Sequence, residues 1–521
     1  MINEELKNLI KANISTIYIQ SFEWQRFQAK ITKIANDLNK KLFYYNNTEG
    51  LSEFNFNNRK FDLNEEDCKG DIIGVLELLQ ENSIYVLEET HPSFNDEAII
   101  NRFKFAIRKF KRRKITIVFF STILNIPKEL EKEIMILDMS LPTLLDFEKL
   151  YKRLAKEFNI SSNINLDILK SLLGLTIEEA TNAISKAIAQ NGKLTEDEID
   201  ILISQKEQII KKSGHLEYFH PKDNMDSIGG LDNLKKWLKT RYKAFSQNAK
   251  KYKLKSPKGI MLLGIPGTGK SLSAKAISNS WKMPLLRLDF GKVFGGIVGE
   301  SEGNIRETIK IAESLSPCIL WIDEIEKGLS GLGNGGDSGT SARVFGTFLT
   351  WMQEKQSEVF VLATANDISA LPPELLRKGR FDEIFFVDLP TIKERKEILL
   401  IHLKNVEQNS GVVNVDKLAE ITKGFSGAEL AEVINEGLFN IFDIESSKKP
   451  ILKTKDLIEV VESFYPLAKT MEERIKSLRI WAKSRTKLAS IYASEALDFK
   501  KENKIPKLKQ EFVDNPFMDE E

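Results

Sequence analysis

The residues from Gly264 to Ser271 have the types and the spacing needed to hold the phosphates of a nucleotide. Glycines let the backbone N–H groups of such a loop turn towards phosphates. Lys270 would reach the terminal phosphates, and the hydroxyl of Ser271 would ligate Mg²⁺. The pattern predicts a site for ATP or GTP, with a plain glycine turn at a helix start as the alternative. The loop fills every position of G-x-x-x-x-G-K-[ST] with Gly264, Ile265, Pro266, Gly267, Thr268, Gly269, Lys270 and Ser271.

Two acids and an amide follow further along the chain, each just beyond an apolar run. Asp323 suits coordination of Mg²⁺, and its neighbour Glu324 can polarise an attacking water. Asn366 lies beyond the run from Glu358 to Thr364, where its amide could hold that water or sense the γ-phosphate. Alone, acids after a strand usually begin a solvated loop, and an asparagine there usually forms a turn. After a complete phosphate-binding pattern, we expect the three residues to form a hydrolytic site.

The elements that must position these residues can be read from the flanking sequence. Gly259 to Leu263 is a short apolar run typical of a buried strand, and Leu272 to Trp281 has the spacing of a helix. The segment from Gly264 to Ser271, here named the phosphate loop, would then lie at the positive end of a helix dipole, which favours anions. Leu272, directly after the loop, is counted with the nucleotide-binding residues.

The segment from Pro372 to Asp382 carries a resemblance to a known family. It reads Pro-Pro-Glu-Leu-Leu-Arg-Lys-Gly-Arg-Phe-Asp and, together with Asn366, resembles the second region of homology of the AAA family of ATPases. The resemblance covers residues 225–445, almost half of the chain. It implies an α/β fold, namely a P-loop NTPase (AAA) module with a parallel sheet and a small helical lid. It also implies that ATP, rather than GTP, binds together with Mg²⁺.

The same resemblance assigns further nucleotide contacts. Ile228 and Gly229 stand in a segment that, in the family, packs on the adenine. Gly427 and Ala428 stand in a segment similar to the lid beside the ribose, and Ala428 replaces the sensor arginine of many wider relatives. These four residues are therefore expected to line the site.

Arg377 and Arg380 match the arginines that act on the nucleotide of a neighbouring subunit in this family. Charge developing on a transferred phosphoryl group needs a cation, and an arginine supplied by a neighbour can raise the rate on the order of 10³-fold or more. The resemblance thus implies a homo-oligomeric ring, most often a hexamer, that acts on a protein client. The alternative for either arginine is an ordinary surface cation.

Two loops are expected to line the pore of such a ring. The first runs from Phe294 to Glu302 and carries Ile297 where related unfoldases carry an aromatic residue. The second is the glycine-rich stretch from Gly328 to Gly339. Ile297 weakens the expectation that an extended polypeptide is gripped tightly, although Phe294 could substitute for the aromatic residue or belong to the core.

The first 215 residues repeat the order of the second half without a phosphate loop. Thr116 to Ser121, a Pro-Lys-Glu-Leu segment and Leu141-Pro142-Thr143 match Val359 to Thr364, a Pro-Pro-Glu-Leu segment and Leu389-Pro390-Thr391. Residues are missing from the first copy where the second carries its paired arginines. We predict a degenerate AAA-like α/β module ahead of the ATPase module, against the alternative of a chance likeness between two α/β folds.

The predicted organisation has five parts. Residues 1–160 form the degenerate module, and 161–215 form lid-like helices and a linker. Residues 216–392 form the large α/β subdomain of the ATPase module, and 393–465 form its helical lid. Residues 466–521 form amphipathic helices followed by a charged tail.

Composition excludes several other classes of protein. The 521 residues carry a net charge of +1, which gives no long-range attraction to nucleic acid. The basic run from Arg108 to Lys114 fits a helix end better than a nucleic-acid site, and Phe110 within it fits a core position. Two cysteines and four scattered histidines argue against disulfide or zinc sites. No run approaches the ~18 apolar residues of a membrane span.

Three functions remain open at this point. The first is an ATP-hydrolysing ring that remodels a protein client, and the second is a regulatory scaffold whose assembly is switched by ATP with little turnover. The third is a nucleic-acid motor, which a steep salt dependence of DNA or RNA binding through Arg112 and Arg113 would indicate. The segments Gly295–Glu302, Leu315–Glu324 and Gly336–Val344 are also similar to an AAA group found in cyanobacteria and algal plastids. That likeness implies the chloroplast stroma or the cyanobacterial cytoplasm, and a role in regulating photosynthetic metabolism.

Overall fold

The structure is a computed structural model of the 521-residue chain. The chain divides into two compact units. Unit 1 comprises Met1–Lys212 with Ser314–Ser316, and unit 2 comprises Ser213–Glu313 with Pro317–Glu521. No helix among the described residues is long and apolar enough to cross a bilayer. The described residues are 2–63, 68–160, 165–192, 199–221, 223–294, 300–332, 338–369, 371–377, 379–409, 411–442 and 451–491.

Unit 1 is built on a seven-stranded sheet. Its strands are β1 (Thr16–Gln20), β2 (Lys41–Asn46), β3 (Gly50–Asn55), β4 (Lys60–Leu63), β5 (Ser83–Glu88), β6 (Thr116–Ser121) and β7 (Met135–Ile136). They lie in the order β4-β3-β2-β5-β6-β1-β7. The strands from β2 to β7 in that order are parallel, and β3 and β4 extend the edge as an antiparallel pair.

The helices of unit 1 form two groups. The first group covers both faces of the sheet, which is why the central strands are apolar throughout. The second group begins with Leu144–Glu157, which shares a separate core with the helices that follow it, so the predicted boundary at residue 160 falls inside this group. The helices are α1 (Ile2–Lys11), α2 (Trp24–Asp37), α3 (Ile72–Glu77), α4 (Glu97–Arg113), α5 (Leu144–Glu157), α6 (Leu166–Ser171), α7 (Ile177–Asn191) and α8 (Ile199–Ser213).

The basic run lies at the end of α4. Phe110 is only 2 % exposed and belongs to the core beneath the sheet. Lys114 ends the helix in the left-handed conformation, with Lys111, Arg112 and Arg113 in the last turn. These cations complement the negative end of the helix dipole.

Unit 2 also contains a seven-stranded sheet. Its strands are β8 (Leu216–Phe219), β9 (Gly259–Gly264), β10 (Leu285–Leu288), β11 (Cys318–Ile322), β12 (Val359–Ala365), β13 (Glu383–Val387) and β14 (Lys487–Leu488). They lie in the order β14-β13-β9-β12-β11-β10-β8, and only β8 is antiparallel to its neighbour.

The helices of unit 2 pack around the sheet, and those between Ile392 and Ser463 form a separate helical core. The lysine-rich and acidic tail predicted beyond the last of them lies outside the described residues. The helices are α9 (Asp232–Tyr242), α10 (Gln247–Lys251), α11 (Lys270–Trp281), α12 (Phe290–Phe294), α13 (Glu300–Ser314), α14 (Ser338–Glu354), α15 (Ile392–Asn405), α16 (Val415–Ile421), α17 (Gly427–Ile441), α18 (Thr454–Ser463), α19 (Leu467–Thr470) and α20 (Glu472–Ala482).

The two sheets share one topology. Five parallel strands follow the order β2-β5-β6-β1-β7 in unit 1 and β10-β11-β12-β9-β13 in unit 2, so in each set of five the first strand along the chain lies between the last two. Unit 2 adds β14 beside β13 as a further parallel strand. The backbone repeats even in detail, because Glu89 after β5 and Glu324 after β11 have φ values of +49° and +50°. The prediction of a degenerate AAA-like module ahead of a complete one is confirmed.

Unit 1 places a carboxylate of its own at the start of the helix that follows its first parallel strand. Glu23 precedes α2 and is only 4 % exposed. Its Oε1 accepts a hydrogen bond of 2.8 Å from the backbone N–H of Ile177, at the start of α7. Burial raises the pKa of Glu23, partly offset by this hydrogen bond and by the charge of Arg26. In the complete module the corresponding connection, between β9 and α11, is the phosphate loop.

Glu23→Gln is expected to preserve the stability of unit 1, whereas Glu23→Ala lowers it. Glutamine keeps an oxygen for the Ile177 N–H, but alanine leaves that buried donor unsatisfied at a cost of about 1–3 kcal/mol. Because folding raises the pKa of Glu23, the ionised side chain costs stability once the pH rises through that pKa. The free energy of unfolding of the Gln variant, measured with urea, should therefore increase relative to that of the wild type as the pH rises from acid to neutral. Equal losses in both variants would contradict this account.

Candidate nucleotide site

The phosphate loop connects the end of β9 to the first turn of α11. Gly267 and Gly269 have φ values of +74° and +89°, a region that favours glycine. A Cβ added to Gly267 would lie 2.9 Å from Ser426 Oγ and 3.1 Å from Ala428 Cβ. The loop thus needs glycine at 267 both for its turn and for the close approach of the lid helix α17.

A cavity of about 390 Å³ opens above this loop, within the usual size of a small-ligand pocket. It collects most of the residues predicted for the site, but Gly264, Ile265, Arg377 and Arg380 do not line it. The predicted lining residues are Ile228, Gly229, Pro266, Gly267, Thr268, Gly269, Lys270, Ser271, Leu272, Asp323, Glu324, Asn366, Gly427 and Ala428. The lining residues not predicted are Ser227, Thr364, Ile398, Ile401, His402 and Ala431.

Lys270 is the buried cation of the cavity. Its Nζ donates hydrogen bonds of 3.0 Å to the carbonyl of Gly264 and 2.6 Å to that of Ile265. Burial lowers the pKa of Lys270 to about 8, against the opposing charges of the nearby carboxylates, of which Glu326 is the strongest. An amine held in this way is ready to exchange carbonyl oxygens for phosphate oxygens.

Nucleotide binding at pH 8 is expected to take up a fraction of a proton. With the pKa of Lys270 at about 8, part of the population lacks the ammonium proton, and a triphosphate beside it would raise that pKa. Calorimetric titrations in two buffers of different ionisation enthalpy measure the uptake. The proton uptake should shrink towards pH 6, because Lys270 is already charged there. An uptake that is the same at pH 6 and pH 8 would refute Lys270 as the group that takes up the proton.

Ser271 and Asp323 form the oxygen-rich corner of the site. Asp323 Oδ1 accepts hydrogen bonds from Ser271 Oγ at 2.9 Å and from Thr364 Oγ1 at 2.7 Å. Mg²⁺ takes oxygen ligands and is commonly held by one or two carboxylates together with substrate phosphates. The hydroxyl of Ser271 and the carboxylate of Asp323 therefore fit the predicted metal site.

Glu324 is held in a fixed conformation beside them. Its backbone N–H donates to Thr364 Oγ1 at 2.9 Å, and its Oε1 accepts a hydrogen bond of 2.9 Å from Asn366 Nδ2. Its Oε2 pairs with the ammonium of Lys327. The left-handed backbone at Glu324 is a strained conformation of the kind that clusters at functional sites. The carboxylate and the amide predicted to handle water thus contact each other directly.

A third acid, Glu326, lies behind this pair. Its Oε1 accepts a hydrogen bond of 2.8 Å from the backbone N–H of Asn366, and burial raises its pKa. Its Oε2 is buried and has no hydrogen-bond partner among the described residues. Sequence reasoning missed Glu326, although the spacing Glu-x-Glu from Glu324 was visible.

The lid contributes the opposite wall. The N–H of Ala428 donates to the carbonyl of Gly267 at 2.9 Å, which joins the start of α17 to the phosphate loop. A Cβ added to Gly229 would lie 2.7 Å from Cγ1 of Ile398 in α15, so α15 leaves room for no side chain there. His402 lines the cavity from the same helix, and burial lowers its pKa, which favours the neutral imidazole. No pattern in the sequence singles out His402.

Arg377 and Arg380 lie far from the cavity in their own chain. The side chain of Arg377 is 71 % exposed and comes within 4.0 Å of Glu374, and Arg380 donates to the carbonyl of Glu374. Both precede β13, whose residue Glu383 pairs with Ile260 near the start of β9. They therefore lie at the amino end of strands whose carboxyl end, about 20 Å away, carries the phosphate loop. Within one chain these arginines and the loop are at opposite edges of the sheet.

The predicted pore loops are described only in part. Phe294 at the end of α12 is half-buried, and its ring centroid is 6.1 Å from that of Phe290, as in a core position. Ile297 and residues 333–337 lie outside the described residues.

The fold and the cavity together define a P-loop NTPase module of the AAA class. The sequence model of the "ATPase family associated with various cellular activities (AAA)" matches residues 260–389. A model described as the N-terminal domain of SpoVK-like AAA ATPases matches residues 2–139, and one described as their second domain matches residues 146–213. The degenerate module and its helices are therefore a recurring partner of AAA modules.

Several proteins are similar to this chain over half of its length or more. The AAA domain-containing protein ycf46 of Trieres chinensis is 40% identical over 498 residues, which cover 94% of this chain and 98% of that protein. The ycf46 protein of Pyropia yezoensis is 46% identical over 404 residues, or 77% and 81% of the two chains. The cell division cycle protein 48 homolog of Archaeoglobus fulgidus is 32% identical over 264 residues, or 50% and 36%. The chain belongs to the AAA family and, within it, to the ycf46 AAA domain-containing proteins.

Proposed function

We propose that the protein hydrolyses ATP in a ring of identical subunits and uses the hydrolysis to remodel a protein client. The hydrogen-bonded pair Glu324–Asn366, beside Asp323 and Lys270 in one cavity, is the observation that carries this proposal. An acid that only capped a strand would need neither a positioned amide nor a buried lysine nearby. The choice of ATP and of a hexamer follows the AAA family.

Each side chain has a distinct task in the proposed reaction. Lys270 would exchange its bonds to Gly264 and Ile265 for the terminal phosphates. Ser271 and Asp323 would hold Mg²⁺, which neutralises charge on the phosphates when bound. Glu324 would accept the proton of the attacking water, and Asn366 would orient that water and the carboxylate. Gly267, held to Ala428, would keep the lid closed over the nucleotide.

The position of the arginines supports the proposed ring. Arg377 and Arg380 cannot reach the phosphate loop of their own subunit, because the length of β9 lies between them. A neighbouring subunit can present them to that loop if copies join head to tail in a closed ring. The exposed guanidinium of Arg377 would then stabilise the charge on the transferred phosphoryl group.

A regulatory scaffold switched by ATP is the second candidate. It is favoured by unit 1, whose topology is complete but whose phosphate loop is replaced by a short connection ending in buried Glu23. Such a module suits a docking platform rather than a motor. For either function the ycf46 relatives support placing the protein in the chloroplast stroma or in the cytoplasm of a cyanobacterium.

Hydrolysis measured against protein concentration, with particle mass recorded alongside, tests the proposal. Turnover per subunit should rise as particles of ring mass form, and a protein client should accelerate it further. Assembly on ATP with negligible turnover would favour the scaffold. A monomer that hydrolyses ATP at the full rate would refute the ring.

A further inference from the structure

Lys258, one residue before β9, joins three segments of unit 2. Its Nζ donates a hydrogen bond of 2.5 Å to the carbonyl of Gln353 and one of 2.8 Å to the carbonyl of Gly379. Gln353 lies in the last turn of α14, where carbonyls have no partner within the helix. Gly379 lies between Arg377 and Arg380 and has a φ of +100°. The lysine therefore binds directly to the backbone that carries both arginines.

Asp382 holds the same segment from its other end. Its Oδ2 accepts hydrogen bonds from the backbone N–H of Lys258 at 2.6 Å and of Gly259 at 3.0 Å. Its own N–H donates to the carbonyl of Gly259 at 2.8 Å. Gly379 and Asp382 are thus both fastened to the start of β9.

The arginines themselves have few restraints of their own. Arg377 is exposed, and its contact within the chain is a distant one of 4.0 Å to Glu374. Arg380 is tied to the carbonyl of Glu374. Gly379 has no side chain that could fix the backbone beside the two arginines, so its position depends on the contacts of its backbone groups. A charged donor at that carbonyl is the contact best placed to fix it, since charge-assisted hydrogen bonds are the stronger ones.

We propose that Lys258 is a positioning residue for the arginines that each subunit presents to its neighbour. The inference rests on the proposed function, because it requires Arg377 and Arg380 to act on the nucleotide of the next subunit. Lys258 itself lies outside the cavity and contacts the arginines' backbone rather than any substrate. It directly precedes β9, whose far end carries the phosphate loop, so each subunit sets its arginines relative to its own nucleotide site.

Mixed rings separate this role from a structural one. Subunits with Arg377→Ala keep Glu324 but present no arginine, and subunits with Glu324→Gln present the arginine but cannot hydrolyse. Mixed in equal amounts, about one site in four joins an intact Glu324 to an intact neighbouring arginine in a closed ring. Lys258→Met is then added either to the Glu324→Gln subunit, which supplies the arginine, or to the Arg377→Ala subunit, which supplies the working site.

Loss of activity is expected in one arm only. Lys258→Met in the arginine-supplying subunit should lower kcat at least about tenfold with little change in KM, because a displacement of about 1 Å can cost 10²-fold. In the site-supplying subunit it should change kcat by less than about twofold. Lys258→Arg in the first position should restore most of the rate, since a guanidinium can also donate to both carbonyls. Lys255→Met, at an exposed neighbour, is the matched control.

The other outcomes test the positioning role of Lys258 and the ring separately. Equal losses in both arms, or no loss in either, would overturn the positioning role of Lys258 while leaving the trans-acting ring in place. Failure of the parent mixture to regain activity, with subunit mixing verified by mass, would overturn the proposed ring and this inference with it.

Discussion

Replacing Glu324 by Gln is expected to lower ATP turnover at least a hundredfold while leaving ATP binding intact. A general base contributes about 10²–10⁴-fold, and an amide cannot accept the proton of the attacking water. Glutamine keeps the shape of the side chain and an oxygen for the hydrogen bond from Asn366 Nδ2. Turnover at saturating ATP and the Kd from calorimetry, measured on the same preparation, give the two quantities.

Glu326→Gln is the contrasting variant. The amide oxygen of the new glutamine would still accept the hydrogen bond from the Asn366 N–H. Burial already raises the pKa of Glu326, so losing its carboxylate should lower kcat by less than about tenfold. If Glu326→Gln abolished turnover and Glu324→Gln did not, the roles of the two acids would be reversed. If neither variant lost activity, hydrolysis would not use this cluster at all.

The parts of the fold and site that local sequence could predict are those in which neighbouring residues act together. The phosphate loop is contiguous, and glycines at 267 and 269 are required by its positive φ values. The topology of unit 1 could be predicted for a related reason. Its strands repeat the order of unit 2, and a parallel sheet buried on both faces needs apolar runs whatever its ligand.

Apart from Glu326, the residues that sequence reasoning missed depend on contacts between distant segments. Thr364 is an ordinary strand residue until folding places it between Asp323 and the Glu324 N–H. Lys258 matters because β13 pairs with β9 and brings Gly379 within reach. No local pattern reports such pairings. The proposed role of Arg377 depends on a second subunit, so it too lies beyond any local pattern.

The C-terminal segment from Leu467 to Ala482 also makes contacts of this kind with the nucleotide site. Ile475 of α20 packs against Ile265 of the phosphate loop and Leu389. Arg474 pairs with Asp367, next to Asn366, at 2.7 Å. The N–H of Leu467 donates to Glu429 Oε1, in the first turn of the lid helix α17. The segment therefore contacts the phosphate loop, the turn after β12 that carries Asn366, and the lid, and we expect its attachment to affect nucleotide binding.

Arg479→Met is expected to destabilise unit 2 by about 3–5 kcal/mol and to weaken ATP binding. Arg479 Nε and Nη2 donate to Asp388 Oδ1 at 2.9 and 2.7 Å, and the two side chains are only 5% and 9% exposed. Removing one partner of a buried pair leaves an uncompensated charge, which accounts for the size of the loss. Urea unfolding and the Kd for ATP measure the two effects.

The double variant Asp388→Asn with Arg479→Met tests whether the uncompensated charge of Asp388 causes the loss of stability in Arg479→Met. Burial raises the pKa of Asp388, and Arg479 opposes that shift, so removing both charges should restore much of the lost stability. ATP binding should recover only as far as α20 returns to its place against Ile265. A double variant as unstable as Arg479→Met would mean that the guanidinium contributes through packing rather than charge. An Arg479→Met protein as stable as the wild type would mean that apolar contacts alone hold α20.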